Sequence, residues 1–156
     1  MRIVAALLFA ALSLTPAAAR SSIETAGPSI EQVFHEFDLF GNWAADCKLP
    51  ATPANPRVSI TMPSPGLVME DHNLGPEFAV NRYSVLSATR VSATRLSIEV
   101  IFQPGGEGEE RQKLELLIRK DTRRTMFNQV DGGPVRVKDG VALVRGVKTP
   151  VLRKCG

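Results

Sequence analysis

Sulfur, imidazole and large aromatic groups are scarce in this chain. Among 156 residues there are only two cysteines, two histidines, one tryptophan and one tyrosine. Cys47 and Cys155 stand far apart and lack the clustered ligand spacing that zinc requires, so no metal centre is expected from them. His35 and His72 sit at no i, i+4 spacing with another histidine and read as surface residues. No G-x-S-x-G elbow occurs, and no histidine neighbours a plausible serine nucleophile in sequence. Asp46 would serve as a general acid only if buried, and Trp43, Ala45 and Cys47 occupy the opposite face, which turns it toward water. These absences argue against an enzyme and imply no cofactor. Basic residues carry no interleaved stacking aromatics, so no nucleic-acid partner is expected. The net charge of +3, with both signs interspersed, speaks to solubility alone.

Long apolar runs are also missing beyond the start of the chain. There, Arg2 precedes an apolar stretch from Ile3 to Leu14 and then Ala17-Ala18-Ala19, the layout of a secretory signal peptide over residues 1–19 with cleavage after Ala19. The run is too short to span a ~30 Å hydrocarbon core, and Pro16 breaks it, so no stable membrane anchor is expected. The alanine-rich segment points to a bacterial periplasm. In that oxidising compartment two cysteines read as a structural disulfide. A Cys47–Cys155 bond would close a loop of about 100 residues, which the chain-entropy model values near ~4.7 kcal/mol.

What remains divides into a small, polar, flexible segment over residues 20–28 and one domain over residues 29–156. Ser29 reads as the N-cap of a short helix, with Ile30, Val33, Phe34 and Phe37 at helical spacing and Glu31 in the first turn. Gly41 is expected to stop that helix. Pro50, Pro53 and Pro56 lack the amide donors that a central strand needs and mark an extended surface loop. Strict alternation then begins. Val58, Ile60 and Met62 oppose Arg57, Ser59 and Thr61; Leu96, Ile98, Val100 and Phe102 oppose Arg95, Ser97 and Glu99; Leu114, Leu116 and Ile118 repeat the pattern. Further strands are expected over residues 67–70, 80–87, 123–130, 135–137, 141–145 and 151–155.

About 8–10 short strands with turn signals between them, and no crossover helices, predict an all-β antiparallel fold. A barrel is favoured, with a sandwich as the alternative, because one cysteine on the first strand and one on the last would pair those strands and remove both sheet edges. Leu96, Ile98, Val100, Leu114, Leu116, Ile118 and Met126 would line any cup. With many aliphatics and few rings, such an interior is expected to be filled by its own side chains.

A helical turn followed by Gly41-Asn42-Trp43 resembles the G-x-W signature of lipocalins. In that family the tryptophan packs across the closed end of an eight-stranded cup, and an arginine of the last strand covers its ring. The resemblance implies that role for Arg153, with Arg145 second, and a lid for the loop Pro50 to Pro56. The chain departs from the family in having no T-D-Y motif and no long C-terminal helix. It is also similar to small alphaproteobacterial periplasmic proteins that share W-A-x-D-C near the start, then D-G, G and T-P, and a terminal K-C. Asp139-Gly140, Gly146, Thr149-Pro150 and Lys154-Cys155 carry that likeness here.

Arg119, Lys120, Arg123 and Arg124 cluster about one expected hairpin tip and form a possible anion-binding site. The function expected from all this is non-covalent binding of a small apolar molecule or an envelope component. The alternative is a protein-interaction module, such as an inhibitor of an envelope lytic enzyme, acting through a loop such as 103–110 or 72–77.

Overall fold

The computed structural model describes residues 27–156. The expected signal peptide, its cleavage site and most of the segment 20–28 lie outside the described residues.

A single helix, α1 (Ile30–Glu36), precedes eleven strands: β1 (Gly41–Ala44), β2 (Arg57–Ser64), β3 (Leu67–Asn73), β4 (Asn81–Ser92), β5 (Arg95–Phe102), β6 (Glu110–Arg119), β7 (Thr122–Val130), β8 (Val135–Lys138), β9 (Val141–Ala142), β10 (Val147–Lys148) and β11 (Leu152–Cys155). Strands β1 to β7 form an antiparallel meander. β11 pairs with β7 on one side and β1 on the other, so eight strands close into a barrel. The sandwich alternative is thereby set aside.

Closure is made in two parts along one edge of β7. Leu152 and Arg153 of β11 pair with Arg123 and Thr122 at the start of that edge, while Val137 and Val135 of β8 pair with Asn128 and Gln129 at its end. Gly140 and Thr149 fill the interval. The Gly140 amide donates to the Met126 carbonyl at 2.9 Å, and the Thr149 hydroxyl donates to the Thr125 carbonyl at 2.7 Å. Two of the residues that carry the likeness to the periplasmic proteins thus join the split wall.

Ser29 caps α1 as expected: its hydroxyl accepts from the Gln32 amide, and the Gln32 side chain accepts from the Ser29 amide. The helix ends earlier than Gly41, at a turn in which Asp38 takes a φ of 50°. Its apolar face plugs one end of the barrel, where Val33, Phe34, Leu39, Trp43, Val68, Leu96, Ile98 and Leu116 are wholly buried. This half of the interior is solid, so the expected filling by aliphatic side chains holds there.

The disulfide joins Cys47 to Cys155 with their Cα atoms 5.6 Å apart. Cys155 lies on β11 opposite Asn42, whereas Cys47 sits in the turn after β1, not on the strand. The bond therefore clips a turn to a strand end beside the ladder.

Candidate functional site

Above the solid half, the inward positions turn polar. Glu70 on β3 and Arg123 on β7 are each 4% exposed and form a two-pronged ion pair, with Nη1 to Oε1 at 3.1 Å and Nη2 to Oε2 at 2.9 Å. β3 and β7 are separated by four steps in either direction around the ring, so the pair spans the lumen along a diameter. Burial by itself pushes the Glu70 carboxyl up. The Arg123 guanidinium, helped by His72, overrides this and brings it down to about 2.

His72, two residues along β3, donates from Nε2 to Glu70 Oε2 at 3.1 Å, as the ionised carboxylate requires. Its ring packs against Tyr83 of β4 at 4.8 Å, and Tyr83 packs against Phe102 of β5 at 5.2 Å. Burial, reinforced by the Glu70 charge, pushes the Tyr83 phenol up to about 12. The sequence reading of His72 as a surface histidine is corrected: β3 continues past Glu70, which keeps position 72 on the inner face.

A second polar chain crosses from β6 to β7. Arg136 bonds the Glu110 carboxylate at 2.9 Å, Gln112 Nε2 donates to Glu110 at 3.1 Å, and Asn128 Nδ2 donates to Gln112 Oε1 at 2.8 Å. The chain has a fixed direction, because the carboxylate at its head accepts only. Asn128 Oδ1 is left buried with no hydrogen-bond donor, alone among the buried side-chain N and O atoms of the described residues. An irregularity in pairing aims it there. Glu115 pairs with Phe127 but Leu116 pairs with Thr125, so Met126 is an extra residue and the side chains beyond it change faces. Met126, expected to line a cup, instead forms the bulge.

Over these groups lies a cavity of about 250 Å³ at the barrel mouth, reaching His72, Tyr83, Arg123 and Asn128, with Pro53, Pro56, Val137, Pro150 and Leu152 on its walls. Two larger grooves, of about 510 Å³ and 350 Å³, lie outside the barrel beside the disulfide and across β5 to β7. The mouth cavity differs from both in reaching Arg123 and Asn128. Pro53 and Pro56 lie on a loop pinned by Asn55, which donates from Nδ2 to the Asp46, Leu49 and Pro50 carbonyls and accepts from the Asp46 amide at 2.8 Å. The loop Pro50 to Pro56 forms a fixed rim over this cavity.

The expected basic cluster does not assemble. Arg119 and Lys120 are exposed at the β6–β7 turn, and Arg123 points inward to Glu70. Arg124 points to the outer arm, donating to Gly140 O at 2.6 Å and Thr149 Oγ1 at 3.1 Å. Arg153 is exposed and pairs with Ala44, so it does not cover the tryptophan. Lys154, one residue on, stands opposite Trp43 with Nζ 5.8 Å from the ring, and Arg123 approaches it at 6.0 Å. Trp43 itself donates from Nε1 to the Leu39 carbonyl at 2.8 Å, which ties β1 to the helical plug.

His35 is exposed on α1, stacked on Phe40, and Asp46 caps the turn by accepting from the Lys48 amide. Among the described residues no group of three or more His, Cys, Asp or Glu side chains is placed to hold a metal ion. Protein-family models, curated proteins and solved structures give no match to the chain. The closed eight-stranded antiparallel barrel, plugged by a short helix beside the G-x-W tryptophan, is compatible with a lipocalin-like barrel.

Proposed function

We propose that this protein is a non-enzymatic, lipocalin-like binding protein of the periplasm that takes a small molecule, or the tip of an envelope component, into the barrel mouth. The observation that carries the reading is the cavity itself: rigid apolar walls above a floor of preorganised polar groups, one of them with an unmet hydrogen-bonding capacity. At about 250 Å³ it falls short of the ~300 Å³ at which drug-sized sites begin, which suits a small ligand or a terminal group. The Cys47–Cys155 bond fits an oxidising compartment.

Native mass spectrometry of protein purified from its own periplasm tests this reading. A co-purifying small molecule displaced by substitutions at Pro53 or Pro150 is the expected result. A mature protein that carries nothing, and whose mouth residues respond to no envelope extract in NMR, would overturn it.

The protein-interaction alternative draws on a different surface from the loops first considered. Leu143 and Val144 between β9 and β10, and Val147 and Val151 nearby in sequence, are each exposed, Val144 at 93%. A Val144→Asp variant separates the two readings: it should remove association with a protein partner and leave the mouth untouched.

A further inference from the structure

The mouth cavity is built to accept hydrogen bonds and to refuse charge. Asn128 is 9% exposed and is one of the residues around the cavity, and its Oδ1, itself buried, has no donor. Rotating its amide does not relieve this. Gln112 would have to rotate as well, turning Gln112 Oε1 toward the Glu110 carboxylate in place of the 3.1 Å bond now made by Nε2. Beside it, His72 spends Nε2 on Glu70, so in the neutral ring Nδ1 is an acceptor too.

Neither ionic sign suits the floor. An anion would meet the Asn128 side chain, while both terminal nitrogens of Arg123 are held by Glu70 at 3.1 and 2.9 Å and Arg124 donates to Thr149 Oγ1 and Gly140 O. The raised Tyr83 phenol reports the same hostility to negative charge. A cation would meet the two arginines that line the cavity, Arg123 and Arg124, and no carboxylate is among its lining residues. Proline, valine and leucine on the walls favour an apolar body.

Resting on the binding reading above, we infer that the ligand is neutral, with an apolar body and a hydroxyl or N–H group at its inner end that donates to Asn128 Oδ1. The test uses the oxidised protein, labelled with ¹⁵N and ¹³C and titrated with cyclohexanol, methoxycyclohexane and cyclohexanecarboxylate. The readouts are the Asn128 side-chain amide and the His72 and Tyr83 ring signals. Cyclohexanol should shift all three and bind about tenfold more tightly than the ether, which keeps the shape and loses the donor. The carboxylate should bind more weakly still. An Asn128→Leu variant should abolish the gap between alcohol and ether. Equal binding of alcohol and ether, or tighter binding of the carboxylate, overturns the donor inference while leaving the mouth as the site. No shift at these groups with any of the three probes removes the mouth reading as well. The comparison in the unaltered protein decides the matter even if the variant fails to fold.

Discussion

Glu70 and Arg123 face each other across the full width of the barrel and are joined by two parallel hydrogen bonds. The pair divides the interior, with the helical plug and aliphatic side chains on one side and the polar mouth on the other. Removing one partner strands the other charge in a closed space. Glu70→Gln or Arg123→Met should each cost about 3 to 5 kcal/mol in urea unfolding, and the double variant should cost less than the two losses added. Strict additivity would show that the charges do not depend on one another.

Stability should also fall steeply in acid. The Glu70 carboxyl is held at about 2 in the folded protein, below its ordinary value of 4.5, so its contribution is present above pH 4.5 and is lost as pH drops toward 2. The size of the loss is about 3 kcal/mol by linkage. Glu70→Gln should flatten this part of the profile, and an unchanged acid limb in that variant would assign the loss to other carboxylates.

Replacing Cys47 and Cys155 together by serine should lower stability by about 2 to 5 kcal/mol, because the bond closes a long loop that the unfolded chain must otherwise leave open. Comparison of oxidised and reduced protein by thermal unfolding checks this without mutation. Coincident transitions would mean that β11 is held by packing and ladder bonds alone.

The polar chain at the mouth should be kept at the expense of stability. Gln112→Leu with Asn128→Leu replaces two buried amides, one of them with an unpaired oxygen, by groups of similar shape. The double variant is expected to be as stable as the parent or more stable, by about 1 kcal/mol, and to lose discrimination between alcohol and ether probes. A loss of several kcal/mol would show that the amides are needed to hold β6 to β7.

Gly140→Ala should open the seam beside β7. Position 140 has a φ of +73°, and an added Cβ would lie 2.7 Å from the Arg124 guanidinium that bonds the Gly140 carbonyl. A cost of about 1 to 3 kcal/mol is expected, with faster amide exchange at Met126 and Thr149. Unchanged exchange there would place the strain elsewhere.

Strand pattern and end closure were legible in the residues. The alternation of β5 gave its limits, Arg95 and Phe102, because buried Leu96, Ile98 and Val100 alternate with the more exposed Arg95, Ser97 and Glu99. The helix cap at Ser29 and the paired cysteines were legible for similarly local reasons. The interior polar groups were not. Arg123 lies in a run with Arg119, Lys120 and Arg124, and nothing in that run reveals a carboxylate 53 positions earlier. Asn128 would face outward by simple alternation and faces inward only because Met126 is inserted into the ladder. A shift of one residue in β11 likewise put Lys154, and not Arg153, opposite Trp43. Each miss is a matter of register or of partners distant in sequence, which composition and periodicity do not encode.

The split edge of β7 also bears on how the molecule is made. β1 is synthesised early, yet its neighbour β11 arrives only after β2 to β10, and Cys47 waits 108 positions for Cys155. Until β11 docks, β1 therefore presents one edge of unpaired amides and carbonyls, and a barrel stalled before that step has a gap where a stranger's strand can lodge.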